Sequence, residues 1–214
     1  MLIYELEDDF MFNQKINYYR IRPFPGKKDR FGDFKEKSFI SLGWEKIGDV
    51  AGNNRQQISS KLKQNYPEMN NRAIGLAAGA FIKMQAMKPG DRVIIPYQNK
   101  QVSVAVVVKP YQFNSAYKSD DMAHDVGIKF LKTLPVSAVS KEMKSSIDTM
   151  PTLISLEKYA NEIENIISGD PMVVQKNSGN TFSFFSSAKF ITLTISSNVE
   201  KKDLEEFINR VTEF

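Results

Sequence analysis

The sequence predicts an α+β fold in which short, mostly antiparallel strands are flanked by helices. Three observations predict it. Runs rich in β-branched and aromatic residues, such as NYYRIRPF, FISL, QVSVAVVVKPY and HDVGIKFLK, are separated by turn signals. Two of the strand-like runs, RVIIP and QVSVAVVVKPY, are close enough to form an antiparallel hairpin across QNK. Between the second and third strands lie two helical stretches, the first capped by Asn53 or Asn54 and the second an alanine-rich run from Asn70.

In chain order, LIYEL is a short strand candidate and EDDFMF a turn. NYYRIRPF alternates, with Tyr19, Ile21 and Pro23 on one face and Tyr18, Arg20 and Arg22 on the other, and Pro23, Pro25 and Gly26 end it. GKKDRFGDFKEK reads as a polar loop. Phe39 to Leu42 is the second strand and leads into Gly43 and the chain's only tryptophan, Trp44. NNRQQISSKLKQNYP is a helix with Asn53 or Asn54 as cap and Pro67 as stop, and a second helix runs from Asn70. In this second helix, Gly75 and Gly79 point to close packing against a sheet.

The turn at KPGD launches a strand over Arg92 to Ile95, closed by Pro96. QVSVAVVVKPY answers it. After the polar stretch Asn114 to Asp121, Val126, Ile128 and Phe130 alternate on another strand, and LPVSAVSKEM is a turn and short helix. From Pro151 the chain reads as a tail: a helix capped by Ser155, two or three strands around an SGN turn, and an amphipathic helix over VEKKDLEEFINRVTEF. The expected division is residues 1–150 as one domain and 151–214 as a βα appendage.

The 214 residues suit one generous domain with a small addition, and 42% hydrophobic with 25% charged residues is an ordinary globular balance. No stretch approaches the roughly 18 apolar residues of a membrane span. The acidic start MLIYELEDDF is unlike a secretory signal, so a cytoplasmic protein is expected. With no cysteine and a single histidine, His124, neither disulfides, thiolate metal sites nor Cys–His nucleophiles can be built. His124 lacks a nucleophile-elbow motif to complete a triad, and there is no GxxxxGK[ST] or GxGxxG phosphate loop. These absences favour a binding module over an enzyme, with no cofactor and no metal.

A net charge of +4 is compatible with a nucleic-acid partner. Its distribution says more: Arg20, Arg22, Lys27, Lys28 and Arg30 are interleaved with Tyr18, Tyr19, Phe24 and Phe31, which supplies phosphate contacts and stacking surfaces in one stretch. Trp44 reads equally as a core residue or as a platform for a flat ligand.

The order YYRIRPF, FISLGW, helices, MKPGDRVIIPY, VAVVVKPY and HDVGIKFLK, over about residues 15–140, resembles the PUA-like superfamily. In particular it is similar to the EVE and YTH-like modified-base-reading domains at the front of McrB- and Mrr-type restriction proteins. The resemblance implies a small, strongly bent sheet closing toward a barrel. It further implies a pocket for a flipped or unpaired base, walled by Trp44 with Ser41 and Gly43, and by Tyr97 and Tyr111. His124 would be a polar reader, and Arg20, Arg22, Lys27, Lys28 and Arg30 would grip phosphates. The implied role is reading a modified base, in DNA ahead of RNA, in bacterial or phage defence. Because the chain carries no recognisable nuclease or motor, an effector would be supplied in trans, and the apolar run FSFFSSAKFITLTI would be covered in a homodimer. The alternatives are a metal-dependent nuclease or base-modifying hydrolase using Asp91, His124 and Asp125, and a non-catalytic regulatory subunit.

Overall fold

All four residues of the first strand, β1 (Tyr18–Ile21), are buried, so it runs through the interior with both faces covered. In the computed structural model, which describes residues 15–97 and 100–168 and the backbone of residues 175–176, 181–185 and 190–194, β1 lies inside a six-stranded sheet. The other strands are β2 (Phe39–Leu42), β3 (Arg92–Tyr97), β4 (Gln101–Phe113), β5 (His124–Pro135) and β6 (Leu153–Ser155), in the order β2-β5-β4-β3-β1-β6. The sheet is mixed. β1 pairs parallel with β3 and every other pair is antiparallel, and the sheet curls into a half-barrel with flanking helices.

The long β4 and β5 make the curl. Their register slips between Val104 and Ala105 and again between Val107 and Tyr111, and such irregularities bend and twist an antiparallel pair. β3 continues beyond Ile95 to Tyr97, with Pro96 opposite Val102. At the sheet's edge, β2 is bounded by two residues in left-handed backbone, Ser38 at φ 55° and Trp44 at φ 69°.

The helices follow their caps. Asn54 accepts from the Gln57 backbone N–H while the Gln57 side chain accepts from Asn54 N–H, a capping box that starts α2 (Arg55–Asn65). Asn70 caps α3 (Asn71–Gln85) through the Ala73 N–H at 2.8 Å. Ile74, Ala77, Ala78, Phe81 and Met84 of α3 are buried in the core with Ile58 and Leu62 of α2. Gly75 and Gly79 serve the α2 contact rather than the sheet: Arg55 donates to the Gly75 carbonyl at 3.0 Å, and its guanidinium lies 3.6 Å from where a Cβ on Gly79 would stand.

Two elements differ from the sequence reading. Phe31–Lys37 is a helix, α1, rather than a loop; Asp33 is bonded by Arg30 at 3.3 Å and by Lys37 at 2.9 Å, and Phe34 is fully buried. Leu153–Ser155 is a strand, β6, because β1 pairs with it. Beyond β5 come α4 (Lys141–Ile147), capped by Ser140, and α5 (Ala160–Ser168).

The chain divides into units of residues 1–161 and 162–214. The second contains a three-stranded antiparallel sheet of β7 (Gln175–Lys176), β8 (Thr181–Phe185) and β9 (Phe190–Thr194). The expected amino-terminal strand, the SGN turn and the helix over VEKKDLEEFINRVTEF lie outside the described residues. Among the described residues, no helix is long and apolar enough to cross a membrane.

Candidate functional site

Strand β2 ends in a corner that one carboxylate holds. After Leu42, which pairs with His124, the chain passes Gly43 and then Trp44, whose φ of 69° and ψ of 44° are left-handed. For a bulky L-residue that conformation costs about 1–2 kcal/mol, so the surroundings must enforce it. Asp121 does so. Its Oδ1 accepts the Glu45 N–H at 3.1 Å, and its Oδ2 fills the space that a Cβ on Gly43 would need. The same missing Cβ would stand 3.2 Å from the Gly26 nitrogen, so the Pro25–Lys27 turn is gathered to the corner as well. Burial, and then a proton shared with Glu45, push the Asp121 carboxyl up to about 7, while that sharing draws Glu45 down.

The indole itself is half-buried. It meets Phe81 of α3 edge-on at 5.8 Å between centroids. His124 meets the same Phe81 ring at 4.7 Å and is fully buried. Its Nε2 lies 3.4 Å from the Trp44 carbonyl and its Nδ1 2.9 Å from the Tyr111 hydroxyl. Burial lowers the imidazole to about 4, so the ring is neutral at physiological pH. The Tyr111 hydroxyl also bonds Asp49 Oδ1 at 3.2 Å and accepts the Val50 N–H at 3.4 Å, and burial raises its pKa. Trp44, Tyr111, His124 and Phe81 therefore form one cluster.

The remaining residues singled out from sequence divide sharply. Ser41 is buried in β2, donating its hydroxyl to the Leu42 carbonyl at 3.0 Å. Tyr97 belongs to a different cluster: its ring stacks on Phe31 at 3.8 Å and its hydroxyl bonds Gln101. Arg20 is 0% exposed, and its guanidinium donates to the carbonyls of Pro151, Thr152 and Thr149 and to the Thr149 hydroxyl. It is a clamp on the Thr149–Thr152 segment and has no surface to offer a phosphate. Burial pulls its pKa down to about 10.

Arg22 donates to the Met150 carbonyl at 3.1 Å and lies over Phe24, while Arg30 ties α1 to Asp120. Lys27 and Lys28 are exposed, at the end of the turn gathered beside Gly43.

The acids named for catalysis do not converge as a set. Asp91 is buried and engaged, accepting from Asn17 N–H at 2.9 Å, from the Asn17 amide and from Lys88 N–H at 3.1 Å. Asp125 follows His124 in β5 and so projects to the opposite face of the sheet. It is 1% exposed, and no donor reaches either carboxylate oxygen in hydrogen-bonding geometry. Burial pushes it up to about 6, against the weaker pull of the neighbouring Gln112 amide and Lys109. Among the described residues, no group of three or more His, Asp or Glu side chains could hold a metal ion.

Two residues of this corner escaped the sequence reading. Asp121 closed a polar stretch with nothing local to mark it, and Phe81 reads as one more core position in α3. The left-handed φ of 54° at Asp121, a residue type that tolerates it, is the signal that structure adds.

A family model described as "Domain of unknown function (DUF8426)" matches residues 19–157. No curated protein matches the sequence. Among solved structures the chain is similar to protein Atu2648 from Agrobacterium tumefaciens, at 16% identity and a TM-score of 0.32 over 69% of this chain and 90% of that one. It is also similar to the YTH domain-containing protein mmi1, solved in complex with RNA, at 13% identity and a TM-score of 0.38 over 72% of this chain and 82% of that one.

Proposed function

This chain belongs to the DUF8426 family, and we propose that it is a nucleic-acid-binding module that receives a flipped or unpaired base at the Trp44 corner. One observation carries the reading: a half-buried indole is held in a costly backbone conformation by Asp121, at a corner whose neighbouring Pro25–Lys27 turn leads through the exposed Lys27 and Lys28. Strained residues persist where the surroundings over-determine them, and they cluster at ligand sites. An indole face stacks any base, and each stacked base is worth about 1–3 kcal/mol, enough to offset the few kcal/mol that unstacking a base costs. Lysines beside it neutralise phosphates without reading sequence. Phe81 meets the indole edge-on, and His124, bonded to Tyr111, lies against the Trp44 carbonyl.

In its finer form the reading has a modified base as the ligand, DNA ahead of RNA, a role in bacterial or phage defence, an effector acting in trans, and a homodimer through the carboxy-terminal strands. Trp44 is the only tryptophan, so its fluorescence reports on the site directly. Titration with single-stranded and duplex oligonucleotides, unmodified and base-modified, is expected to quench it, with an affinity that falls steeply as salt rises. Unchanged fluorescence and no mobility shift with any of these oligonucleotides would sink the proposal.

A further inference from the structure

On the other face of the same strands lies a buried carboxylate that makes no hydrogen bond of good geometry, with the Gln112 amide and Lys109 beside it. Ser41 of β2, Asp125 of β5 and Gln112 of β4 are opposite one another in register, so the three share one face, while Leu42, His124 and Phe113 share the face of the indole cluster. Asp125 is 1% exposed with both oxygens unpaired. Buried polar groups in folded proteins are nearly always paired, and a charged one left alone is among the costliest arrangements a core can hold.

Two surface side chains lie beside it. Gln112 and Lys109 are exposed, and Lys109 lies across the bare Gly127 two residues along β5. A base edge reaching Asp125 has to displace these two side chains. To either side the row is bounded by Phe39 with the Tyr117 ring 5.1 Å from it, and by Gly43 beneath Asp121.

We propose that Asp125 is a base-edge acceptor selective for guanine, a role that rests on the nucleic-acid reading above. An ionised carboxylate only accepts, and it takes two parallel donors best. Guanine alone among the standard bases presents two adjacent N–H donors, N1–H and N2–H, on its Watson–Crick edge. Adenine and cytosine place a lone-pair nitrogen beside their amino group, which a carboxylate repels, and uracil and thymine offer one N–H between two carbonyls. That edge is free only in an unpaired base.

A guanidinium would fit the same two oxygens. The net charge of +4 and the neighbouring Lys109 disfavour a cation and favour a neutral edge attached to phosphates. The indole cluster and Asp125 lie on opposite faces of the sheet, so in this assignment they engage different nucleotides of one bound strand.

The test is fluorescence anisotropy with short labelled thymine oligonucleotides carrying one guanine, or in its place inosine, which lacks the 2-amino group, or 1-methylguanine. Guanine is expected to bind roughly tenfold or more tighter than inosine, and 1-methylguanine to lose the preference altogether. Asp125→Asn should bind guanine and inosine alike, and should melt higher than the parent because an unpaired buried charge is gone; the melt also establishes that the variant is folded. If the wild-type chain binds guanine and inosine equally, or Asp125→Asn keeps the preference, the edge assignment fails. Should Trp44→Ala still abolish binding in that case, the base-receiving reading stands without it. No binding to any oligonucleotide overturns both. Free arginine competing at lower concentration than guanosine monophosphate overturns guanine in favour of a guanidinium.

Discussion

Asp121 accepts the Glu45 N–H at 3.1 Å while its other carboxylate oxygen lies where Gly43 has no side chain, and Trp44 is trapped between the two contacts. The corner is thus a three-residue device: a glycine that makes room, an acid that occupies the room, and an indole that is aimed as a result.

Gly43→Ala should destabilise the fold by about 1–3 kcal/mol, since a methyl group meets an oxygen and the Gly26 nitrogen that cannot both retreat. In an Asp121→Gly background the same change should cost much less. Urea denaturation of the two single variants and the double variant measures the coupling, and strict additivity would show that the contact is not the cause.

Replacing Trp44 separates strain from stacking. Trp44→Gly should be more stable than Trp44→Ala by about 1 kcal/mol, because glycine adopts positive φ freely. Both variants should keep the native far-ultraviolet circular dichroism spectrum and lose oligonucleotide binding.

Acid titration should expose two opposed contributions. The neutral His124, lowered to about 4 from an unfolded value near 6.5, binds fewer protons folded than unfolded between those values. Its contribution is complete above that window and is lost as pH falls through it. Asp121, raised to about 7 from an ordinary carboxyl value of 3.8, works in reverse: its contribution is present at acid pH and is lost as pH rises toward 7. Thermal melts from pH 4 to 7 should therefore show His124→Gln gaining relative stability toward acid, and Asp121→Asn losing it more steeply than the parent does.

The arginine and lysine side chains of the basic stretch should separate by assay. Arg20→Met strips charge-assisted hydrogen bonds from the carbonyls of Thr149, Pro151 and Thr152, at a cost of about 3 kcal/mol or more. Lys27→Glu with Lys28→Glu should leave the melting temperature unchanged, weaken oligonucleotide binding for all sequences, and flatten its salt dependence.

What the sequence made legible was whatever is encoded locally. The Asn53–Asn54 pair announces α2 and the alanine-rich run from Asn70 announces α3, and β2 was readable to the residue as Phe39–Leu42. What stayed hidden depends on distant partners. β6 is a strand because β1 lies beside it, and the parallel pairing of Tyr18 with Arg92 joins residues far apart in the chain. α1 was obscured by Gly32 and by a charge-rich stretch whose ion pairs are what hold it. Arg20 was misread for a geometric reason: alternation assigns it to an open face, and in a curled sheet that face is closed. Of the site, the tryptophan and its glycine were visible, whereas the acid that positions them was not.

The left-handed residues at the two ends of β2 also limit what the outer edge of the sheet can join. The turns at Ser38 and Trp44 stop β2 after four residues, and those four, Phe39–Leu42, are all buried at 0–6% exposure, so little of this edge reaches solvent. A short, covered edge is no template for strand pairing between copies, and the corner that aims the indole is also where that edge ends.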